Sequence, residues 1–257
     1  MTTSAVVVTY NSAATLTACL ASLRQNGIAE VVVVDNASTD ATTNLVHKLG
    51  MHYFPQSHNV GFATACNRGA QSTMSDYILF LNPDAAIFPG ALAVAEKYLV
   101  DHPKVGVAGL LLVTDSGRVE EASFGSDVTL LSLLWRRLIK PPPVPAQPIS
   151  CGWVSAGACL VRRHAFDAVG GFDPQFFLYW EDVDFGRRLR QAGWRVVLVP
   201  QARAYHQRGA SQPSLALKTR LYDESADRYF RKHYAGTICL LQRFWRRLYR
   251  LFSPSVH

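Results

Sequence analysis

The chain has 257 residues, of which 49% are apolar and 18% charged, and its formal net charge is +7. This composition is typical of a globular protein, and the length suits one sizeable core, because a domain usually takes about 100 to 200 residues. No apolar run approaches about 18 residues, so we expect no helix that spans a membrane.

The cysteines indicate a reducing compartment. There are five of them, they form no CxxC pair, and their odd number argues against a disulfide framework. The N-terminal sequence MTTSAVVVTYN has no basic segment, and its apolar run is shorter than a signal sequence requires. We therefore expect a cytoplasmic protein.

Short β-branched runs alternate with helical patterns in the first third of the chain, which favours a parallel sheet covered by helices. The predicted elements are a strand at 5–9, a helix at 12–26, a strand at 31–34 and a helix from residue 39 or 40 to about residue 50. They are followed by a strand at 77–81, a helix that begins at Pro89 and runs through Tyr98, and a strand at 105–113.

Residues 125–150 interrupt this pattern, because a hydrophobic stretch with a Trp-Arg-Arg run is followed by PPPVPAQP, which we expect to be an extended loop. We interpret the segment as an excursion between two halves of one domain. The second half is predicted to contain a strand at 154–161, a short helix at 163–169, a helix at 181–192, a strand at 194–199 that ends at Pro200, and a helix at about 215–233.

Basic residues are concentrated in two places. One cluster contains Arg136, Arg137 and Lys140, and the other lies in the C-terminal segment TICLLQRFWRRLYRLF. Arginines that alternate with Leu, Phe, Trp and Tyr allow a helix to lie on an anionic lipid surface. A helix packed on the domain with a solvated basic face explains the same pattern equally well. Both interpretations stay open.

Polar residues follow the first three strands of the predicted sheet. The three runs are Thr9-Tyr10-Asn11, Asp35-Asn36-Ala37-Ser38 and Asn82-Pro83-Asp84. In an open α/β sheet, ligands bind at the carboxyl ends of the strands. Asn, Asp and Ser are also common in turns and helix caps, which explains any one run taken alone. Three successive runs favour a binding site.

The chain contains neither GxGxxG nor GxxxxGK[ST], so a nucleotide would have to be held in another way. The carboxylate of Asp35 is suited to accept hydrogen bonds from the imide NH of uracil or thymine and from a ribose. Asp84 is suited to coordinate Mg²⁺ or Mn²⁺ that bridges two phosphates. Together, the two roles fit a nucleoside diphosphate.

A second group of carboxylates, Glu181, Asp182 and Asp184, falls in the first turn of a predicted helix, where the helix dipole stabilises negative charge. The preceding FFLYW run makes this helix start unusually apolar, and dehydration raises the pKa of a carboxyl toward the value that a general base needs. His206 follows the last predicted strand by a few residues, and a lone histidine is more often structural than a metal ligand.

Six segments, in this order and spacing, resemble family 2 glycosyltransferases of the GT-A fold, and within that family the rhamnosyltransferase-type enzymes of bacterial cell-wall and surface-polysaccharide assembly. The segments are VVVTYN, VVVVDNASTD, HNVGFATACNRG, YILFLNPDA, VSAGACLVRR and GGFDPQFFLYWEDVDFGRRLRQAGWRVVLVPQARAYHQRGAS. The resemblance implies a Rossmann-like, mostly parallel central sheet flanked by helices, with a small acceptor-side β/α extension.

The same resemblance implies one domain over residues 1–235, with a nucleotide-binding half at 1–115 and an acceptor and catalytic half at 150–235, followed by the basic segment at 236–257. The residues implied to bind the nucleotide-sugar are Thr9, Tyr10, Asn11, Asp35, Asn36, Asn59, Gly61, Asn67, Asn82 and Asp84.

Asn82-Pro83-Asp84 stands in the place of the family's Asp-x-Asp motif, and its Asn in the first position removes one charge. The resemblance implies that Asp84 binds Mg²⁺ or Mn²⁺, and His206 matches a position that completes the metal shell in relatives. Asp182 matches the catalytic base of the Glu-Asp motif, with Glu181 beside it. We expect Trp153, Tyr179 and Trp180 to stack on acceptor sugars, although large aromatic residues are at least as often in the core.

The implied activity is inverting transfer of a sugar, with L-rhamnose as a candidate, from a dTDP- or UDP-sugar to a polysaccharide or polyprenyl-linked acceptor. We expect contact with the inner face of the cell membrane and no nucleic-acid partner. A sugar-nucleotide nucleotidyltransferase would carry a triphosphate loop rich in Gly, Lys and Arg, which TYNSAATLTACL lacks. A third alternative is a non-catalytic carbohydrate-binding or membrane-associated module. The presence of Asp35, Asp84 and Asp182 together argues against it.

Overall fold

The computed structural model of the chain describes residues 1–120, 123–129, 132, 145–207 and 215–252, without the side chains of residues 245 and 247–252. The basic cluster at Arg136, Arg137 and Lys140 and most of the predicted excursion at 125–150 therefore lie outside the described residues.

Strands and helices alternate through the first half of the chain, as the hydrophobic pattern predicts. The elements are β1 (Thr3–Thr9), α1 (Ala13–Gln25), β2 (Glu30–Asp35), α2 (Thr42–Lys48), β3 (His52–Pro55), α3 (Phe62–Gln71), β4 (Tyr77–Leu81), β5 (Ala85–Ile87), α4 (Ala91–Asp101) and β6 (Val105–Val113). Pro89 precedes α4 by two residues instead of lying in its first turn, because Gly90 has a left-handed conformation with φ 78°.

The second half contains several two-residue strands, the long strand β11 and the two longest helices. Its elements are β7 (Phe124–Gly125), β8 (Ile149–Ser150), β9 (Trp153–Val154), β10 (Ala158–Arg162), α5 (Arg163–Ala168), α6 (Glu181–Gln191), β11 (Arg195–His206), α7 (Leu215–His233) and α8 (Gly236–Phe252). The single strand predicted at 154–161 is wrong, because a turn at 155–157 separates β9 from β10.

The predicted end of the last strand at Pro200 is also wrong, since β11 continues to His206. The register of β11 against β6 shifts between Val199 and Arg203. Proline has no NH group for the strand ladder and is tolerated in strands at irregularities of this kind.

In the described part of the chain, nine strands form one sheet in the order β3-β2-β1-β4-β10-β6-β11-β5, with β8 paired to β11. The pairs β1–β2, β2–β3, β1–β4 and β6–β11 are parallel, whereas β10, β5 and β8 run antiparallel to their neighbours. The carboxyl ends of β1, β2 and β4 therefore lie at one edge of the sheet, and the predicted polar runs follow all three.

Apolar side chains fill both faces of this sheet. On one face, α1 and α4 contribute Leu16, Leu23 and Leu99 to the core. On the other face, the sheet packs against small residues of α3 and against α5 and α6, where a group of contacting rings consists of Phe80, Phe166, Phe172 and Phe185. The central strand β4 is buried along its whole length, as expected of a strand covered on both faces.

The two C-terminal helices form a third cluster that lies beside the start of α6. Tyr229 and Phe230 of α7 pack there with Trp180, and Ile238 and Cys239 of α8 join them. One face of α8 is therefore packed on the domain. No helix among the described residues is long and apolar enough to cross a membrane.

Helix α3 lies very close to the sheet because Gly69 has no side chain. A Cβ atom at Gly69 would lie 2.4 Å from Cγ1 of Val6 and 2.9 Å from Cγ2 of Val34. Both valines are fully buried in strands, so neither can easily move away.

We expect Gly69→Ala to lower the free energy of unfolding by about 1 to 3 kcal/mol, because the added methyl group overpacks the helix–sheet contact. Chemical denaturation would measure the change. Gly236→Ala is a matched control, since a Cβ atom there would meet nothing within 4 Å, and it should change stability by less than about 1 kcal/mol. Equal losses in the two variants would contradict the packing argument.

Candidate active site

The loops that follow β1 and β2 are held together by hydrogen bonds. Asn11 and Ala37 have φ angles of 52° and 62°, which is unusual for residues other than glycine. The side-chain oxygen of Asn11 accepts a hydrogen bond from the NH of Thr39 at 2.8 Å, and the NH of Asn11 donates to Ser38 Oγ at 2.8 Å. Backbone strain of this kind is often found at ligand sites.

The carboxylate of Asp35 is buried, and both of its oxygens accept hydrogen bonds from within the chain. Oδ1 accepts from Thr9 Oγ1 at 2.9 Å and from Ser38 Oγ at 2.5 Å. Oδ2 accepts from the Tyr53 hydroxyl at 3.0 Å and from the NH of Ser38 at 3.3 Å. A carboxylate has about four lone-pair sites. Asp35 therefore orders the two loops, and a nucleobase would reach it only by displacing one of these donors.

The neighbouring Asn36, in contrast to Asp35, has a buried side-chain oxygen that accepts no hydrogen bond from the described residues. Its side chain is buried, its amide nitrogen donates to the carbonyl of Gly61 at 3.4 Å, and its Oδ1 has no hydrogen-bond partner among the described residues. A buried polar atom without a partner costs about 1 to 3 kcal/mol. An incoming donor group would remove this cost.

Other predicted nucleotide residues differ in how much of their side chain is accessible. The ring of Tyr10 is half-exposed at the same sheet edge. Asn59 Oδ1 accepts from the NH of Gly61 at 3.0 Å. The amide of Asn67, on α3, accepts from the NH of Phe172 at 2.9 Å and donates to its carbonyl at 2.7 Å, so it is occupied by the loop that follows α5.

Gly61 joins the two halves of the site. Its φ is 85°, and a Cβ atom there would lie 2.7 Å from the carbonyl oxygen of Phe177. The NH of Phe62 donates to the same oxygen at 2.7 Å. The loop before α6 is thereby fixed to the start of α3. The ring of Phe177, which the sequence analysis did not select, is partly exposed beside this contact.

Asp84 and His206 lie side by side although 122 positions separate them. Strand β5 pairs with β11, and His206 is opposite Ala85, so His206 belongs to the strand itself and not to a following loop. Its Nε2 lies 3.1 Å from Asp84 Oδ1, and its Nδ1 lies 2.6 Å from Glu120 Oε2. Sequence spacing gave no signal for Glu120.

Burial alone would lower the pKa of His206, but its hydrogen bonds to Asp84 and Glu120 raise that pKa to about 9. A carboxylate and an imidazole are suitable ligands for Mn²⁺ or Mg²⁺, and histidines that bind metals usually donate their second ring NH to a carboxylate, as the position of Glu120 allows. No group of three or more His, Cys, Asp or Glu side chains in the described residues is arranged to hold a metal ion. An ion bound by Asp84 and His206 would take its other ligands from outside the protein.

The turn at 155–157 separates Asn82 from Asp182. The NH of Asn82 donates to the carbonyl of Gly157 at 2.9 Å, and a Cβ atom at Gly157 would lie 2.9 Å from Asn82 Nδ2. On the other side of the turn, the carboxylate of Asp182 accepts hydrogen bonds from the NH of Ala156 and, at 2.8 Å, from that of Val183. The Asn82-Pro83-Asp84 motif and the predicted base therefore approach one another.

The aromatic residues before α6 are mostly core residues. Tyr179 and Trp180 have φ angles of 67° and 66°, so the chain is strained immediately before the helix begins. Trp153 and Trp180 are buried, and Trp180 contacts the ring of Tyr222 at 5.5 Å. Of the three aromatic residues predicted to stack on sugars, only Tyr179 is not fully buried.

Two adjacent carboxyl groups at the start of α6 both have raised pKa values. Burial, and secondarily the charge of Asp182, raise the pKa of Glu181 well above its usual value. Burial also raises the pKa of Asp182 to about 6, because backbone NH groups partly compensate for its desolvation. Near neutral pH, Asp182 is therefore largely ionised, whereas the raised pKa of Glu181 favours its protonated form. This leaves Asp182 as the proton acceptor of the pair.

Asp184, two residues further along α6, is a structural anion. It accepts hydrogen bonds from Arg188 Nε at 2.7 Å and His233 Nε2 at 2.7 Å, and Lys232 Nζ lies 2.8 Å away. Although burial opposes the charge, His233, Arg188 and Lys232 lower the pKa of Asp184 to about 2. This cluster joins α6 to the end of α7.

Comparison with known proteins identifies the family. A family model described as Glycosyl transferase family 2 matches residues 4–170, and another, described as Glycosyltransferase like family 2, matches residues 150–231. The chain belongs to glycosyltransferase family 2. The predicted family is thus confirmed, and the protein is a glycosyltransferase.

The curated relatives of this glycosyltransferase include two rhamnosyltransferases. An N-acetylglucosaminyl-diphospho-decaprenol L-rhamnosyltransferase of Mycobacterium tuberculosis CDC 1551 is 31% identical over 238 residues, which cover 80% of this chain and 76% of the relative. A rhamnosyltransferase of Escherichia coli K12 is 30% identical over 167 residues, which cover 61% of each protein.

Among solved structures, GalNAc-T7 with UDP, GalNAc and Mn²⁺ aligns with this glycosyltransferase at a TM-score of 0.65 and 18% identity, covering 90% of this chain and 50% of that one. At this identity the likeness concerns the fold. It confirms the predicted GT-A architecture of a central sheet flanked by helices.

The opposite pKa shifts of Asp182 and Asp184 predict opposite effects of the same substitution. The raised pKa of Asp182 means that its ionisation destabilises the folded state, so Asp182→Asn should raise the free energy of unfolding at pH 8 by up to about 3 kcal/mol. This gain should shrink as the pH falls below 6 toward 4. Denaturant unfolding at several pH values would measure it.

Asp184→Asn should have the opposite sign, lowering the free energy of unfolding at pH 8 by about 2 kcal/mol. The stabilisation from Asp184 is present above about pH 4, the pKa of an unfolded Asp, and is lost as the pH falls toward 2. Effects of the same sign in both variants at pH 8 would refute the assigned protonation states.

Proposed function

We propose that this glycosyltransferase moves a sugar from a nucleoside diphosphate sugar, dTDP- or UDP-linked, to a polyprenyl-linked or polysaccharide acceptor of cell-wall or surface-glycan biosynthesis, with inversion. The observation that carries the proposal is the single ionised base Asp182, which lies across the 155–157 turn from the Asn82-Pro83-Asp84 motif. The names of the relatives, which specify rhamnosyl transfer and a diphospho-decaprenol acceptor, support L-rhamnose and a lipid-linked acceptor.

In the proposed reaction, Asp182 removes the proton from an acceptor hydroxyl. The hydroxyl oxygen attacks the anomeric carbon from the face opposite the diphosphate, a new glycosidic bond forms, and the bond to the diphosphate oxygen breaks. The raised pKa of Glu181 favours its neutral form, which adds no negative charge beside the base. A carboxylate with a pKa near 6 is ionised at neutral pH and still basic enough to assist the transfer.

Asp84 and His206 are the residues that would hold Mg²⁺ or Mn²⁺. A bound ion would neutralise the charge that builds up on the leaving diphosphate. Glu120 orients His206 through Nδ1 and leaves Nε2 directed toward Asp84. Asn82 brings an uncharged amide to this motif, so Asp84 is its one negative charge.

In this proposal Asn36, instead of Asp35, accepts the hydrogen bond from the nucleobase. The oxygens of Asp35 already accept five hydrogen bonds, from Thr9, Ser38, Tyr53 and Thr43, whereas Oδ1 of Asn36 is buried and unpaired among the described residues. Uracil and thymine both offer an imide NH that would satisfy this oxygen. The half-exposed ring of Tyr10 supplies a stacking surface for the base.

Asp182→Asn should lower kcat about 10²- to 10⁴-fold, since it removes the general base, without weakening nucleotide binding. Transfer assays with dTDP- and UDP-sugars and a diphosphate-linked N-acetylglucosamine acceptor would measure this, with nucleotide affinity determined by calorimetry.

Asp84→Ala should weaken UDP binding only in the presence of Mn²⁺. Asp167→Asn, on the exposed side of α5, is the matched control. Full activity in both site variants would rule out the assigned roles.

Asn36→Ala should weaken UDP or dTDP binding about tenfold or more, because the imide NH loses its buried acceptor. Affinity for inorganic pyrophosphate with Mn²⁺, measured by the same calorimetry, should be unchanged, since it has no base. Unaltered UDP affinity in this variant would show that another group reads the base.

A further inference from the structure

Helix α8 is fixed to α7 by one of its faces. Ile238 and Cys239 pack into the aromatic cluster of α7. Gln242 Nε2 donates to Asp227 Oδ1 at 2.9 Å, Arg243 Nε lies 2.7 Å from Asp227 Oδ2, and Arg246 Nη1 lies 3.1 Å from Asp223 Oδ1. These contacts hold α8 in a defined orientation, so its outer face is a fixed feature of the surface.

After Thr237 in the first turn, the exposed side chains described on the outer face of α8 are apolar. Leu240 is 66% exposed, Leu241 47% and Phe244 60%. Their spacing of one and four positions places them on one stripe of the helix. Grouped exposed apolar side chains of this size, unlike single ones, indicate a surface that contacts a protein partner or a membrane.

The charge of the two helices is strongly positive. Helices α7 and α8 together contain nine Lys and Arg and three Asp and Glu. Helix α8 contains four arginines and no acidic residue; two of them, Arg243 and Arg246, pair with Asp227 and Asp223 of α7, and the two helices keep an excess of positive charge beyond these pairs. A helix that combines exposed Leu and Phe with arginine has the composition of one that lies in the interface of an anionic membrane. The charge argues for this occupant over a second copy of the chain, which would bring a like-charged surface to the contact.

We propose that the stripe of Leu240, Leu241 and Phe244 on α8 docks this enzyme on an anionic lipid surface. The contacts and charge of α8 support this docking independently of the proposed function. Docking rests on the proposed function only for its biological use, since a polyprenyl-linked acceptor lies in a bilayer. Helix α7 joins the docked helix to the catalytic helix α6 through Lys232, His233 and Asp184. Docking therefore sets the orientation of Asp182 relative to the membrane.

Vesicle co-sedimentation of the full chain tests the proposal. The protein should bind vesicles of phosphatidylcholine mixed with an equal amount of phosphatidylglycerol, bind pure phosphatidylcholine vesicles much less, and be released by salt. A double variant, Leu240→Gln with Leu241→Gln, should lower the partition coefficient about tenfold or more, because two leucines no longer enter the bilayer.

The matched control is Val94→Gln with Val100→Gln on α4, whose side chains are 39% and 49% exposed; it should leave vesicle binding unchanged. Unaltered binding by the α8 variant, no vesicle binding by the parent protein, or dimerisation through α8 without vesicle binding would each overturn the proposal.

A transfer assay with a water-soluble, short-chain acceptor separates this inference from the proposed function. The α8 variant should keep parental activity on that acceptor and lose activity only on the acceptor embedded in anionic vesicles. Equal losses on both acceptors would contradict a docking role. Failure of the parent protein on every acceptor, with vesicle binding intact, would instead reject the proposed function.

Discussion

The buried charge of Asp184 is the interaction on which the second half of the molecule depends. A carboxylate without solvent is stable only with cations beside it, and its partners come from α6 and from the end of α7. The two helices are therefore tied at the position where α6 begins. The three carboxyl groups of this turn consequently differ: burial raises the pKa values of Glu181 and Asp182, whereas the groups beside Asp184 lower its pKa to about 2.

Strained residues and close backbone contacts shape the loops of the candidate site at the edge of the sheet. The left-handed residues Asn11 and Ala37 shape the loops around Asp35, and Tyr179 and Trp180 do the same before α6. Gly61 then brings the two loop systems into direct backbone contact through Phe177. Because these groups are over-determined by packing and hydrogen bonds, the site is largely preformed.

Clear apolar patterns made the main elements predictable, as the continuous apolar run of β4 and the helical spacing of Leu16, Leu20 and Leu23 in α1 illustrate. The missed elements lack such patterns: β3 and β5 are four and three residues long, and α3 consists mainly of small and polar residues that pack through Gly69. Motif reasoning selected Asp84, His206 and Asp182, which the fold places around one edge. It could not foresee that internal donors saturate Asp35, that Trp153 and Trp180 are buried, or that Glu120 contacts His206, because these facts depend on three-dimensional packing.

Strand β5 has three residues, yet its pairing with β11 brings Asp84 to His206 across 122 positions of sequence. Contacts between such distant segments carry a large loop-closure entropy and form late in folding. During synthesis, the strands that precede Asp84 emerge well before the imidazole that completes the pair. A nascent or truncated chain that ends before β11 has Asp84 and Glu120 but lacks the imidazole that contacts both, so this three-residue arrangement exists only when nearly the whole fold has been assembled.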